Sequence, residues 1–377
     1  MRIAVDSRFL LPHLEGFGRF TKEVASRLVR EHPEVEWDLL FDRKPLPRYH
    51  FGPAQHTVIL PPPTRHWTLY EVWWRLSVPI YLRWRKPDIL FSTYGLLTRE
   101  VGRKIPVVAF IHDVAFARHP EFLPKGWQAY YMRAMKSTIR YSKILIVNSH
   151  SVRQDILELF GAEEARIRIA YQGCDMSFFR PLPELNKSEV LNQYSEGCPY
   201  LFYIGSIHPR KNPKRLLQAY DRLRERYKEP LRLLLVGRFM FDKGQLSDSL
   251  REMRYASEVI FHPPVSDWEL LKLYNAAAVV VYPSLYEGFG IPVAEALGCG
   301  VPVVTSRISS LPEVGGEAAF YANPYDPESI AEAIYQALTQ SPEERALRAQ
   351  IGRMHVERFS WQETLRVVWN SLIEVAS

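Results

Sequence analysis

Residues 279–295 read VVVYPSLYEGFGIPVAE, and the rest of the chain is best read outward from them. Val279 to Tyr282 is a short β-branched run of the kind that fills a parallel strand covered on both faces. Gly288 and Gly290 then permit a turn, and Ile291 with Pro292 opens a helix, since proline is tolerated in a first helical turn. Strand, glycine turn and helix in that order put the turn at the carboxyl edge of a parallel sheet, where open α/β folds bind ligands. Glu287 falls in the turn and Glu295 is read as two turns into the helix, so the two carboxylates can grip different parts of one extended ligand. Amides of Gly290, Ile291 and Val293 are expected to face a phosphate with the helix dipole behind them, Pro292 leaving a gap in that cradle. The plain alternative is a solvated Glu287 and glycines that only turn the chain.

Similar apolar runs recur along the sequence: Ile3–Val5, Ile89–Phe91, Val107–Ile111, Ile144–Val147, Leu201–Ile204, Leu231–Val236 and Val301–Val304. Amphipathic helical stretches separate them, which predicts an α/β fold of covered parallel sheets. Asn212 before Pro213 and Asp326 before Pro327 are expected to cap helices, and Ser266–Glu269, Ser341–Glu344 and Ser360–Glu363 have the spacing of capping boxes. At 377 residues, 47% of them hydrophobic, the chain exceeds one comfortable core and suits two domains. Between Asp175 and Pro199 the rhythm lapses around Pro181 and Pro183, which is read as the linker.

Further candidates sit at other strand ends. Tyr203-Ile204-Gly205-Ser206 runs through His208-Pro209 into Arg210-Lys211-Asn212-Pro213, two cations before a helix, a composition suited to a diphosphate or to a basic surface loop. His112-Asp113 ends the run Val107–Ile111 and should emerge at the sheet's carboxyl edge, although a lone histidine more often serves packing. Gly16 and Gly18 follow the first strand and open a helix read as starting near Arg19; the pattern is incomplete as a phosphate loop. From Arg65 to Lys86 lies a basic, aromatic segment with Trp67, Tyr70, Trp73, Trp74, Tyr81 and Trp84, read as a helix pair broken near Pro79. About half of these rings are assigned to the core, and the rest, near Arg75, Arg83 and Arg85, to an acceptor or a membrane interface.

With Glu287 and Glu295, Pro209 to Asn212 and His112-Asp113 in this order, the sequence resembles glycosyltransferase family 4, the retaining GT-B enzymes, and especially bacterial mannosyltransferase-like members. The resemblance runs from Gly16 to the final helix. It implies two Rossmann-like parallel-sheet domains facing each other across a cleft: an acceptor domain over 1–180, a nucleotide-sugar donor domain over 181–359, and a last helix, 360–377, crossing back to the first. It implies that Glu287 contacts donor-sugar hydroxyls and Glu295 the ribose, and that Gly288, Phe289, Gly290 and Ile291 surround the sugar and diphosphate. Lys211, with Arg210 and Ser206, would meet the leaving phosphates, and the loop at Pro264 and Val265 the base. His112 would lie beside the anomeric carbon, and Gly16, Gly18, Arg19 and Asp113 would serve the acceptor. Some relatives carry arginine where this chain has Ser206, which reopens how phosphate contacts divide among Ser206, Arg210 and Lys211.

The expected reaction moves a hexose, with mannose and GDP-mannose favoured, to a glycan or lipid-linked acceptor in cell-envelope polysaccharide synthesis. No cofactor beyond the nucleotide sugar and no essential metal is expected, because the two cations and the helix amides can stabilise the departing diphosphate. A glycosidase-like carboxylate pair is disfavoured: eight helical residues rise about 12 Å, against roughly 5–5.5 Å between retaining hydrolase carboxyls. A nucleotide-sugar epimerase and a non-catalytic glycan-binding protein on the same fold are the competing readings. The charge balance, 48 basic against 42 acidic residues for a net +6, accompanies no nucleic-acid reader motif, so no nucleic acid is expected as a partner. Three scattered cysteines and the absence of a leader-like start or a long apolar run suggest a cytoplasmic protein, with peripheral contact at the inner face of the membrane.

Overall fold

The structure is a computed structural model that describes the chain apart from His13, Glu15, Arg65, Pro124, Lys125 and 240–242, and only the backbone of 243–245. Arg65, the start of the aromatic segment, therefore lies outside the described residues. The chain divides into two compact units, one of Met1–Gly173 with Trp361–Ser377 and one of Cys174–Ser360.

The first unit is built on seven parallel strands: β1 (Arg2–Asp6), β2 (Glu36–Phe41), β3 (Gln55–Ile59), β4 (Ile89–Ser92), β5 (Val107–Ile111), β6 (Ile144–Val147) and β7 (Ile167–Ile169), in the order β3-β2-β1-β4-β5-β6-β7. The second has six: β8 (Tyr200–Ile204), β9 (Arg232–Val236), β10 (Val259–His262), β11 (Val279–Tyr282), β12 (Val303–Ser306) and β13 (Phe320–Ala322), in the order β10-β9-β8-β11-β12-β13. Each is a Rossmann-like α/β sheet. The winding direction reverses between β1 and β4 and again between β8 and β11, which places a crevice beyond the carboxyl ends of each of these pairs. The last helix, Trp361–Ala376, packs on Gly16–Glu31 and lends Leu365, Val368 and Leu372 to the first unit's core.

The central strands coincide with the apolar runs; β2, β3, β7, β10 and β13 do not announce themselves. β2 carries Asp38 in its interior, fully buried, which breaks the apolar pattern. Arg85 neutralises that carboxylate through two hydrogen bonds, at 3.1 and 2.8 Å, and Tyr81 donates a third at 2.7 Å. β3 and β7 are edge strands with polar residues facing solvent.

Several local expectations need correction. The supposed linker contains a helix, Lys187–Ser195, whose Val190 and Tyr194 are buried. The aromatic segment is one uninterrupted helical run over 67–85, not a pair broken at Pro79. A π turn at Trp73–Ser77, where the Val78 amide bonds the Trp73 carbonyl, precedes Pro79 and widens the helix ahead of the residue that lacks a donor. Asn212 does not cap the next helix with its side chain; its φ of 63° turns the amide elsewhere, onto the carbonyls of Pro283 and Pro324. Asp326 does cap, and the boxes at Ser266–Glu269 and Ser341–Glu344 form. Ser360 and Glu363 take the matching positions about the last helix.

The first helix already includes Gly16, ahead of the start read near Arg19. A Cβ on Gly18 would meet the Phe9 carbonyl oxygen at 2.5 Å and Leu14 Cδ2 at 2.9 Å, whereas one on Gly16 would meet nothing. Gly18→Ala is therefore expected to cost about 1–3 kcal/mol in thermal or urea melts. Gly16→Ala should leave the melting curve where it is.

Candidate functional site

At the second unit's crevice the loops leaving β8 and β11 are bound together. The β8 loop passes Gly205 and Ser206 into the short 3-10 turn Pro209–Lys211, where the His208 side chain accepts from the Arg210 amide at 3.0 Å. The β11 loop carries Pro283 to Glu287. Leu285 donates its amide to the Arg210 carbonyl at 2.8 Å, and Arg210 Nη1 donates back to the Tyr286 carbonyl at 2.8 Å. Asn212, 2% exposed, joins the β11 loop to the one after β13.

This stitching brings three of the sequence-read side chains into one ion cluster. Glu287 is 6% exposed. Its Oε1 accepts from Lys211 Nζ at 2.5 Å and its Oε2 from Arg210 Nη1 at 3.1 Å. Lys211 also donates to the Tyr282 hydroxyl at 2.5 Å, with the ammonium 5.0 Å from that ring's centroid. Burial works to raise the Glu287 pKa, but the two cations and their hydrogen bonds outweigh it and hold the carboxyl down at about 2. Glu287 is thus an anion at any working pH, and any further anion entering this cluster must share its cations.

The backbone around Glu287 is pinned by residues the sequence did not flag. Ser309 Oγ accepts from the Glu287 amide at 3.0 Å, and Ser310 donates to the carbonyls of Glu287 at 3.0 Å and Phe289 at 2.7 Å. Ser309 holds a φ of 48°, unusual for a residue with a side chain, as expected where surrounding bonds over-determine the backbone. The available signal was position: both serines follow β12 at the same carboxyl edge.

The helix after Glu287 is Ile291–Gly298, with Gly290 at its cap at a φ of 107°. Glu295 is consequently one turn into the helix, not two. Its Oε2 accepts from Tyr274 at 2.7 Å, and the residue is 5% exposed, outside the Glu287 cluster. The Val293 amide is committed to the Gly290 carbonyl at 2.9 Å and drops out of the expected phosphate cradle. Gly288 and Gly290 are buried, and Phe289 packs edge-on against Phe359 with centroids 5.1 Å apart. Ser206 accepts through its carbonyl from Tyr203 at 2.9 Å, and Val265 is half-buried between β10 and the helix Asp267–Ala276.

In the first unit, His112 leaves β5 at the carboxyl edge. Its Nε2 donates to the Thr93 carbonyl at 2.8 Å, and Phe17, Phe20 and Phe110 pack around the ring. Burial pulls its pKa from 6.5 down to about 4, against the smaller upward pull of Thr93 and Asp113, so the imidazole is neutral. Asp113 Oδ1 accepts from the Ala115 amide at 3.0 Å, and Arg19 is exposed near the start of the helix Gly16–Glu31. The unfolded chain protonates His112 as pH falls through 6.5 while the native ring resists until about 4. Stability present above pH 6.5 should therefore be lost across that window, and His112→Leu should flatten the fall in melting temperature there.

Comparison with known proteins bears on what this arrangement serves. A model described as "Glycosyl transferases group 1" matches residues 188–354, and one described as "Glycosyltransferase Family 4" matches residues 14–178. O-antigen chain mannosyltransferase B of Escherichia coli is 33% identical over 256 residues, covering 68% of this chain and 67% of that protein. The chain belongs to glycosyltransferase family 4. A D-inositol 3-phosphate glycosyltransferase of Acidothermus cellulolyticus is 28% identical over 300 residues, with 74% of this chain and 65% of that one aligned. The family-4 chain thus spans about two thirds of the length of these curated relatives.

Its fold is GT-B. The sucrose-phosphate synthase of Thermosynechococcus elongatus matches 100% of this chain and 99% of its own with a TM-score of 0.79 at 19% identity. HepE of Anabaena, solved in complex with UDP-glucose, matches 99% of this chain and 100% of its own, also with a TM-score of 0.79, at 16% identity. No helix among the described residues of this glycosyltransferase is long and apolar enough to cross a membrane.

Proposed function

We propose that this chain is a retaining hexosyltransferase that uses a nucleoside-diphosphate sugar, GDP-mannose by preference, to extend a glycan or lipid-linked acceptor in cell-envelope polysaccharide synthesis. The reaction belongs on the cytoplasmic side, at the inner face of the membrane that holds such an acceptor. The observation that carries the reading is Glu287 held between Lys211 and Arg210 at a sheet's switch point, directly ahead of a helix N-terminus. Mannose is favoured by the likeness to a mannosyltransferase at 33% identity.

Cleavage of the bond from anomeric carbon to phosphate leaves positive character on the sugar ring and an extra negative charge on the diphosphate. Lys211 and Arg210 supply charge for the leaving group, and the amides of Gly290 and Ile291 open a helix whose dipole has the same sign. Glu287, freed from its cations as the phosphates take them, is then an anionic acceptor for donor-sugar hydroxyls, and Glu295 serves the ribose. Ser206, Gly288, Phe289 and Val265 complete the donor's surroundings. On the acceptor side the reading assigns His112, neutral and therefore able to accept a hydrogen bond, together with Gly16, Gly18, Arg19 and Asp113. Two protein cations make an essential divalent ion unnecessary.

The test is incubation with a panel of nucleotide sugars and acceptors, with NMR of the product's anomeric proton. The expected result is turnover undiminished by EDTA and an anomeric configuration matching the donor's. Inverted product, or loss of activity restored only by a divalent ion, refutes the mechanism. Conversion of donor to an epimer without any acceptor would favour the epimerase reading instead.

A further inference from the structure

The helical run 67–85 buries one side and leaves the other bare. Trp73, Trp74, Val78, Tyr81 and Leu82 are buried, while Val72, Leu76, Ile80 and Trp84 are 39%, 58%, 68% and 75% exposed. The bare residues fall four apart. In a regular α-helix a four-residue step overshoots a turn by about 40°, and the wider π turn at Trp73–Ser77 takes up part of that drift. The four side chains consequently form an apolar stripe along the helix, roughly 18 Å from end to end at 1.5 Å per residue. Single exposed apolar residues are ordinary on a protein surface; an aligned row ending in tryptophan calls for a partner.

The charges beside the stripe say which partner. The short helix Arg99–Gly102 packs against both the π turn and the helix Trp127–Tyr141. Between these two helices runs a groove of about 530 Å³ whose lining includes Arg99, Arg133, Lys136 and Arg140. The acids nearby are already engaged: Glu71 with Arg75 and Arg133, and Glu100 with Arg99. Arg83, Lys136 and Arg140 have no carboxylate partner among the described residues and are exposed. A second copy of the chain would bring the same cations face to face, whereas an anionic surface complements them.

We propose that this face docks on an anionic phospholipid leaflet. Leu76, Ile80 and Trp84 enter the boundary between headgroups and acyl chains, tryptophan being suited to that level, and the groove cations take lipid phosphates. The proposal deepens the lipid-side part of the proposed function but needs no donor and no turnover, since none of these residues belongs to the Glu287 cluster.

Flotation of the full chain with vesicles tests it, using equal parts phosphatidylcholine and phosphatidylglycerol against phosphatidylcholine alone. Binding is expected only to the anionic vesicles and should weaken as salt rises. Leu76→Glu with Ile80→Glu, and separately Lys136→Glu with Arg140→Glu, should each lower partitioning at least tenfold. Brominated acyl chains should quench the protein's fluorescence, and the conservative Trp84→Phe should reduce that quenching while binding persists. Unchanged melting temperatures in the variants show that they fold, and because flotation uses no donor a failure of docking stays distinct from a failure of the transferase reading. Equal flotation of wild type and glutamate variants, or no flotation at all, overturns the proposal. So does a concentration-dependent dimer abolished by Leu76→Glu with Ile80→Glu, which would assign the stripe to a second copy.

Discussion

Lys211→Ala should lower kcat with the nucleotide-sugar donor by about 100- to 1,000-fold, with kcat/KM falling alongside it, the size seen when one preorganised donor to a developing charge is lost. Lys211 is the closer of the two cations to Glu287, and its ammonium is also fixed by the Tyr282 hydroxyl. Arg210 cannot replace it, because that guanidinium is committed to the Tyr286 carbonyl as well as to Glu287. Lys211→Arg should recover little, since a planar fork does not fit a point-charge position between a carboxylate and a phenol. Some stability should also go, because a nearly buried Glu287 loses one of its two cations, by about 1–3 kcal/mol given that Arg210 remains. Rate and melting curve measured on the same preparation separate the two losses; turnover within threefold of wild type would remove Lys211 from the chemistry.

Glu287→Gln should move two measurements in opposite directions. Turnover should fall by about 100-fold or more, since an anionic acceptor for sugar hydroxyls is replaced by a neutral amide. Affinity for the bare nucleoside diphosphate should rise by roughly 3- to 10-fold, because Lys211 and Arg210 no longer have a carboxylate to hold and the phosphates meet them unopposed. Glutamine keeps the shape, so no cavity confuses the result. Calorimetric titration with GDP and UDP beside steady-state rates reads both. Weaker diphosphate binding in this variant would mean that Glu287 does not compete with the donor for these cations.

The legible part of the candidate site was its local part. Glu287 and Gly290 belong to one short segment, and Arg210 and Lys211 to another, each following an apolar run read as a buried strand. What lies between segments was not legible. The Lys211–Glu287 pair bridges 76 positions, and nothing in either segment specifies that the cations would be spent on the glutamate. Ser309 and Ser310 read as ordinary loop residues until the fold sets them over the Glu287 backbone. Asn212 looked like a cap by its place before Pro213, yet it spends its amide on two other loops, because satisfying buried carbonyls there outweighs one helix-end bond.

The sequence alone determined the α/β class and the central strands, because a strand covered on both faces must be apolar throughout and so shows in any window of a few residues. It also determined the capped helix starts at Ser266, Ser341 and Asp326, whose bonds close within a turn. Only the tertiary structure decided that the charged β2 is a strand, since Asp38 is tolerable inside a sheet because Arg85, 47 residues away, neutralises it and Tyr81 donates a further hydrogen bond. It alone decided that His112 is a neutral ring among phenylalanines and that Glu287 is a permanent anion. Burial and opposing charge set protonation, and both come from residues that the chain brings together only by folding.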